Sequence, residues 1–292
     1  MRGGPHVRDW MPAFWLAYDA AHAAARPGEA LFSRFFKPRL ALYRAAGLAP
    51  EPALVDQWLR RFAPMAAHAR ARSARMPAAL QAQLATFQAA FPDFDQRPVA
   101  VHFLPSLFQF DAHLEPCGAT LPLYIGIDGI LYYHGADPGT AVLFSHELFH
   151  LYQAQHNPGA MLDPAPPLHA LLWSEGTATY ASQLLNPRAT RGELLFDNGP
   201  LLHLAPGTAA RIAADLLLQC DSAQDADVQR YFSTGYRGDI PPRSGYLIGL
   251  DIAAHAHAGG MTPQRMAALP SAAAREVVRR RLQQLSSGQT RP

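Results

Sequence analysis

The spacing of hydrophobic and polar residues along the chain predicts a protein built mainly of helices. In 11–25 the aromatic side chains of Phe14, Trp15 and Tyr18 recur at helical spacing, which places them on one face of a helix. A proline often opens such a segment, because its fixed φ suits the first helical turn. The other helices predicted in this way cover 52–62, 64–75, 77–91, 137–156, 168–185, 207–219, 244–257 and 272–285.

The pattern changes after residue 92 and predicts a small β-sheet. β-Branched and aromatic residues dominate 98–104 and 121–127, and both segments are bounded by glycine or proline. The segment 130–134 follows Asp128-Gly129, a pair typical of tight hairpin turns, and is expected to form a third strand. We therefore expect an α+β fold dominated by helices, with three strands packed on the central helices.

The same change in pattern divides the chain into portions. A helical N-terminal portion covers 1–92, a second portion with the strands and central helices covers 93–285, and 286–292 is a tail. A length of 292 residues allows one large domain or two moderate ones. We expect the first two portions to form one continuous unit.

Composition and charge exclude several classes of protein. A hydrophobic fraction of 49% excludes a wholly disordered chain, and a formal net charge of +2 argues against nucleic-acid binding through bulk charge. No uncharged apolar run reaches the length of about 18 residues that a membrane-spanning helix needs. Arg8 and Asp9 interrupt any N-terminal signal peptide. The chain as given is therefore expected to be cytoplasmic, and periplasmic or secreted if a leader has been removed.

The two cysteines, Cys117 and Cys220, are far apart in the sequence. They can form one disulfide or remain as two buried thiols. Neither belongs to a CxxC pair, so a redox motif or a cysteine-based zinc site is not supported.

Residues 146–150 read His-Glu-Leu-Phe-His, an HExxH motif within a predicted helix. A spacing of four residues puts His146 and His150 on one helix face, where both can bind one metal ion. Glu147 lies one position along, where it can act as the general base of a metalloprotease. The surrounding residues are apolar, so the polar side chains would be buried at a cost unless a metal ion satisfies them. The alternative is a histidine pair that is satisfied by hydrogen bonds.

The third ligand is expected from the next helix. Glu175 follows His150 by 25 residues and lies in an apolar segment, and it completes a His₂Glu set that leaves a fourth position for water. His156 is a poorer candidate, because the helix of the motif continues to that residue. The alternative for Glu175 is a surface carboxylate on an amphipathic helix.

These motifs resemble the gluzincin group of zinc metallopeptidases, in which the third ligand is a glutamate on a helix downstream of HExxH. The resemblance is nearest to a bacterial group of predicted zinc-dependent proteases. It rests also on Glu-Gly-x-Ala at 175–178, on Pro-Arg-x-Gly-Tyr-x-x-Gly at 242–249, and on Val-Arg-Asp-Trp-Met-Pro-Ala-Phe-Trp-x-Ala-Tyr-Asp at 7–19. It touches most of the chain, but HExxH with the downstream glutamate is its specific part.

The resemblance implies a zincin-like catalytic domain over 93–285. It points to Tyr246 as the donor that stabilises the oxyanion of peptide hydrolysis, with Arg243 as a charged alternative. The alternative for Tyr246 is an aromatic residue of the core, and the alternative for Arg243 is a surface charge. It also implies that 121–127 is an edge strand on which an extended substrate can pair.

One position departs from the pattern of many gluzincins. Thr179 stands where an aspartate commonly orients a zinc-bound histidine. Asp251 or a backbone carbonyl group could take over that role.

The sequence thus predicts a zinc-dependent metallopeptidase that uses Zn²⁺ and acts on a peptide or protein substrate. The metal ligands are His146, His150 and Glu175, and the catalytic residues are Glu147 with Tyr246 or Arg243. The alternatives are a zinc amidohydrolase acting on a small molecule and a non-catalytic binding protein that retains the metal-binding fold. No nucleic-acid or membrane partner is expected. The oligomeric state and the choice between endo- and exopeptidase are left open.

Overall fold

The computed structural model describes residues 4–118, 120–135, 139–196 and 199–288. Helices predominate in these residues, together with one small sheet of four strands, so the fold is α+β as the sequence predicts. Within the described ranges, every helix is too short or too polar to cross a membrane. The chain forms two compact units, the first from 1–85 with 93–140 and the second from 86–92 with 141–292.

The sheet belongs to the first unit. Its strands are β1 (His6–Asp9), β2 (Ala100–Leu104), β3 (Ala112–Leu114) and β4 (Leu123–Gly126). They lie in the order β1-β2-β4-β3, with β1 and β4 parallel to β2, and β3 antiparallel to β4. Strands β2 and β4 confirm two of the three predicted strands, with shorter bounds.

The prediction of a third strand at 130–134 is wrong. Strand β4 runs directly into helix α7, Ile127–His134, so Asp128-Gly129 lies in a helical turn and not in a hairpin. Gly129 is needed for another reason. A Cβ atom there would clash with the carbonyl group of Phe110, which lies against the start of the helix.

The expectation that 121–127 forms an edge strand is also wrong. Strand β4 pairs with β2 on one side and with β3 on the other, so its backbone groups are already used in the sheet. The edges are β1 and β3, neither of which was predicted. Because β1 pairs with β2, the N-terminal segment belongs to the unit that contains the sheet.

The first unit also contains helices that pack around aromatic side chains. They are α1 (Met11–His22), α2 (Pro27–Leu31), α3 (Leu40–Ala45), α4 (Pro52–Phe62), α5 (Ala66–Ser73) and α7, with a π-helical turn at Phe32–Phe36 and 3₁₀ turns at Lys37–Arg39 and Ala63–Met65. Helix α6, Met76–Ala90, crosses the boundary between the units. The rings of Trp58 and Phe62 stack at 4.5 Å, and Phe14 packs edge-on against both. Edge-to-face and offset contacts of this kind are favourable beyond the area that they bury.

A buried carboxylate organises the loop between β2 and β3. Asp128 is 1% exposed and accepts hydrogen bonds from the Trp58 indole at 2.8 Å and from the backbone N–H groups of Ser106 at 2.6 Å and Phe108 at 2.8 Å. The loop reaches this position through left-handed conformations at Leu107 and Phe108, whose φ angles are 58° and 60°. Burial raises the pKa of Asp128, and these hydrogen bonds limit the rise.

The second unit is entirely helical in its described residues. Its helices are α8 (Thr140–His156), α9 (Pro158–Met161), α10 (Leu168–Leu185), α11 (Arg191–Leu194), α12 (Gly199–Leu202), α13 (Thr208–Leu218), α14 (Asp225–Phe232), α15 (Ser244–Ala258), α16 (Pro263–Ala267) and α17 (Ser271–Ser286). Helices α10, α13, α15 and α17 enclose a core that includes Leu172, Ile212, Ile248 and Leu282. The predicted start of α8 at Asp137-Pro138 lies outside the described residues, as does the predicted tail beyond Gly288.

Both cysteines are free thiols. Cys117 is exposed and Cys220 is buried, so the alternative of a disulfide is not what the structure contains. Burial raises the pKa of the Cys220 thiol to about 11, which keeps it protonated at neutral pH.

We expect Asp128→Ala to destabilise the first unit by about 3 kcal/mol or more, because it leaves buried N–H groups without acceptors. Urea denaturation followed by tryptophan fluorescence measures the change. Glu29→Ala is the matched control, because it removes an exposed carboxylate that is paired with Arg26 on the surface. We expect the control to change the free energy of unfolding by less than about 0.5 kcal/mol. Equal effects of the two variants would show that Asp128 does not hold the loop.

Candidate metal centre

Helix α8 places the two histidines of the HExxH motif one turn apart. Every residue from Val142 to Gln153 is buried, so the helix is enclosed along most of its length, as its apolar sequence predicts. His146 is 4% exposed and His150 is 6% exposed. The imidazoles are therefore held inside the unit, where an unsatisfied ring nitrogen is costly.

Helix α10 brings a carboxylate to the same point. The Glu175 Oε2 atom lies 3.1 Å from His146 Nε2 and 3.5 Å from His150 Nε2, and the two Nε2 atoms are 3.0 Å apart. The structure thus brings the three predicted ligands together, with one donor atom from each facing a common centre. Such a group of atoms can hold one metal ion.

The hydrogen bonds of Gln153 fix the protonation of His150. The Gln153 amide nitrogen donates to Thr177 Oγ1 at 2.9 Å, so its Oε1 atom faces His150 Nδ1 at 2.8 Å and must accept a hydrogen bond. The proton of a neutral His150 therefore lies on Nδ1. Its Nε2 lone pair is left facing Glu175 and His146, as metal binding requires.

Gln153, and not Asp251, is the side chain that contacts His150 Nδ1. Asp251 is instead paired with Arg281, whose Nε atom lies 2.7 Å from its carboxylate. Thr179, at the position of the missing aspartate, donates to the backbone carbonyl of Glu175 at 2.8 Å. Sequence reasoning considered Asp251 or a backbone carbonyl group and overlooked the Gln153 amide. The signal was present, since Gln153 lies three residues after His150 on the same helix face.

The charges of the three side chains are strongly coupled. Burial would raise the pKa of Glu175, but the adjacent His150 and the hydrogen bonds from both imidazoles hold it well below its usual range. For His150 burial lowers the pKa, but Glu175, with a smaller contribution from Glu147, raises it to about 9. Burial lowers the pKa of His146. Glu175 is therefore ionised at neutral pH and available as a ligand.

Two further predicted residues also lie beside His146. The ring centroid of Tyr246 is 6.2 Å from that of His146, and the Arg243 guanidinium lies 4.2 Å from the Tyr246 centroid. Arg243 also lies 4.5 Å from the ring of Phe196, which itself packs edge-on against His146. Phe196 was not predicted, because it lies in a connection whose path the sequence does not define.

Two glycines set the approach of α10 to α15. A Cβ atom at Gly176 would lie 2.6 Å from the Gly249 Cα atom, and one at Gly249 would lie 2.9 Å from the Gly176 Cα atom. The two helices therefore cross with their backbones in contact, which only glycine permits. Because Gly176 follows Glu175 and Gly249 lies one turn after Tyr246, this crossing positions both functional side chains.

An apolar cavity adjoins Glu175. It has a volume of about 140 Å³ and is lined in part by Gln153 and Glu175. Its apolar wall includes Met161, Leu171, Met266 and Leu269. An apolar cavity of about 150 Å³ admits a benzene-sized group, so this one has room for a single apolar side chain.

A second group of side chains also brings metal-binding atom types together, but it is already satisfied. The group comprises His169, Cys220 and Asp221. Arg275 Nε donates to Asp221 at 2.6 Å, and His169 Nδ1 lies 3.1 Å from the Cys220 carbonyl oxygen. With a protonated thiol as well, this group is a poor metal site.

Comparison with protein-family models, with curated proteins and with solved structures finds no match to this chain.

We expect Gly176→Ala to destabilise the second unit by about 2 kcal/mol, because the added methyl group forces α10 away from α15. Thermal denaturation measures the loss. Gly159→Ala is the control, because a Cβ atom at Gly159 meets no atom within 4 Å. If both alanine variants melted together with the wild type, the close crossing would not be needed to hold the two helices.

Proposed function

We propose that this chain is a zinc-dependent metallopeptidase with a zincin-like catalytic domain, which hydrolyses peptide bonds in a peptide or protein substrate. The observation that carries the proposal is the convergence of His146, His150 and Glu175, with Glu147 adjacent in the sequence. A histidine pair satisfied only by hydrogen bonds explains this arrangement less well. Within the described part of the chain, the buried Nδ1 atom of His146 has no hydrogen-bond partner.

The spacing of the donor atoms supports a zinc ion. Zinc–nitrogen and zinc–oxygen bonds of about 2.0–2.1 Å in a tetrahedron place neighbouring ligand atoms about 3.3 Å apart. The three observed distances of 3.0, 3.1 and 3.5 Å lie on both sides of that value. Two imidazoles and a carboxylate are also the ligands of known catalytic zinc sites. His146, His150 and Glu175 would hold the ion.

When bound, zinc supplies a Lewis acid that lowers the pKa of water to about 7 and polarises the substrate carbonyl group. Glu147 is buried and lies near enough to His150 to contribute to the rise of its pKa. Its carboxylate takes the proton of the attacking water and then donates it to the leaving amine. Gln153 keeps His150 in the tautomer that the centre needs.

Tyr246 and Arg243 complete the proposed site. Both lie beside His146, and a phenol or a guanidinium can donate hydrogen bonds to the oxyanion that forms when water attacks the carbonyl. The apolar cavity next to Glu175 offers room for one side chain of the substrate. Together these features favour a peptide with an apolar residue near the scissile bond.

We expect the purified chain to contain about one zinc ion per molecule, and we expect His146→Ala to lose it, because two ligands do not hold zinc tightly. Metal content measured by mass spectrometry checks both. A zinc-free wild type, even after supplementation, would overturn the metal assignment.

The Gln153 interaction gives a finer test of the same centre. Gln153→Leu keeps the size of the side chain but removes the acceptor of the His150 proton, so we expect zinc affinity to fall by roughly 10- to 100-fold. A competition assay with a chelating dye measures the affinity. The comparison requires that the wild type binds zinc, as the preceding prediction states.

We expect Glu147→Gln to retain zinc and to reduce peptide hydrolysis by at least about 100-fold, because the amide cannot accept the proton. Digestion of a peptide library, compared with a panel of small amides, measures the loss and also separates peptidase from amidase activity. Full hydrolysis by the zinc-loaded variant would remove the role of Glu147 as general base.

A further inference from the structure

Arg243 differs in its ion pairing from three other arginines of the second unit. Among residues 4–118, 120–135, 139–196 and 199–288, no carboxylate lies within ion-pair distance of its guanidinium, whereas Arg230, Arg275 and Arg281 are each paired with an aspartate. Its Nε atom is buried and has no hydrogen-bond partner in the same residues. A buried N–H group of a cation left without an acceptor is costly, so its retention calls for an explanation.

The guanidinium is held in place by aromatic rings. It lies against Phe196 at 4.5 Å and Tyr246 at 4.2 Å, in cation–π contact with both rings, which are nearly perpendicular to each other. These contacts restrict the guanidinium but use none of its N–H groups. Its hydrogen-bonding capacity is therefore oriented and available for a ligand.

The backbone at this point is strained. Arg243 has a φ of 62°, in the left-handed region that favours glycine, and Phe196 opposite has a φ of 59°. Strain of this kind persists where the surroundings impose it, and it is concentrated at functional sites. Arg243 also precedes the first turn of the 15-residue helix α15, whose amide dipoles add positive potential at that end.

The charge of the proposed centre points to the kind of ligand. With a divalent ion bound, the charges of Glu147, Glu175 and Arg243 leave one net positive charge, so an anionic group on the substrate would neutralise it. A planar guanidinium with free N–H groups matches a carboxylate, which it can bind through two parallel hydrogen bonds.

We infer that Arg243 is a specificity-determining residue that binds a carboxylate of the substrate, which is either the C-terminal carboxylate of a peptide or the side chain of an acidic residue. This inference rests on the proposed peptidase function and deepens it. A pure oxyanion donor would act on every substrate alike. A carboxylate receptor acts only on substrates that carry the charge.

The test measures binding as well as turnover. The chain carrying Glu147→Gln, loaded with zinc, is titrated by calorimetry with three kinds of short acetylated peptide. All of them contain leucine to suit the apolar cavity. The first has a free C-terminal carboxylate, the second is the same peptide amidated, and the third is the amidated peptide with glutamate placed at each other position in turn. We expect a carboxylate-bearing peptide to bind roughly 10- to 100-fold more tightly than the uncharged amide.

The decisive variant is Arg243→Gly in that background. Glycine suits the left-handed backbone at this position, so the variant is expected to fold with little change in melting temperature while it loses the preference for the carboxylate. Arg243→Lys keeps the charge without the planar fork and should retain part of the preference. Arg211→Gln, on the exposed face of α13, is the control and should change nothing.

The outcomes distinguish a C-terminal carboxylate from an acidic side chain, and the role of Arg243 from the proposed peptidase function. Preference for the free C-terminus indicates a carboxypeptidase, and preference for a glutamate peptide indicates an endopeptidase for acidic sequences. Equal binding of charged and uncharged peptides, no binding of any of them, or a preference that survives in Arg243→Gly, would overturn the inference. Hydrolysis of all three peptides alike by the enzyme with Glu147 intact would sustain the proposed function and refute the inference. Arg243-dependent binding without hydrolysis would do the reverse.

Discussion

The site depends on burying two imidazoles and a carboxylate at one contact between helices. In an apolar interior each of these groups is costly alone, and together they are stable only where a positive charge, a proton or a metal ion, lies among them. Other features of the second unit position these side chains. The enclosed helix α8 presents His146 and His150, and the glycine crossing of α10 with α15 delivers Glu175 to them. Gln153 then fixes which nitrogen of His150 faces inward.

In the first unit, too, a buried carboxylate depends on partners that the surrounding chain provides. In the first unit the Asp128 carboxylate is satisfied by a loop that adopts left-handed backbone conformations to bring its N–H groups to it. In the second unit left-handed conformations occur again at Phe196 and Arg243, beside His146. The first strained segment ends with every acceptor oxygen satisfied. In the second, the Nε atom of Arg243 has no hydrogen-bond partner in the part of the chain that the structure describes.

Helical periodicity explains what could be predicted from the sequence. Once α8 is a buried helix, the spacing of His146 and His150 fixes their relative position. Glu175 lies in a second apolar helix, where a carboxylate is rarely buried without a partner, so contact with the histidines is expected. Other features depend on partners distant in the sequence. Strand β1 is four residues long and mostly exposed, and it exists because it pairs with β2, more than 90 residues away. The segment 130–134 belongs to α7, which follows directly after β4. The pair Asp128-Gly129 is typical of a turn, so the sequence does not indicate that the helix begins before it.

The difficulty of predicting Phe196 and the setting of Arg243 has the same origin. Neither residue belongs to a periodic pattern, and their positive φ angles are conformations that no local propensity favours for arginine or phenylalanine. Only the tertiary structure reveals that the guanidinium of Arg243 contacts the ring of Phe196 and also the ring of Tyr246. Rings hold a cation without consuming its hydrogen bonds, whereas a carboxylate partner would consume them. A guanidinium that is held by rings can therefore be restrained and still have donors left for a ligand.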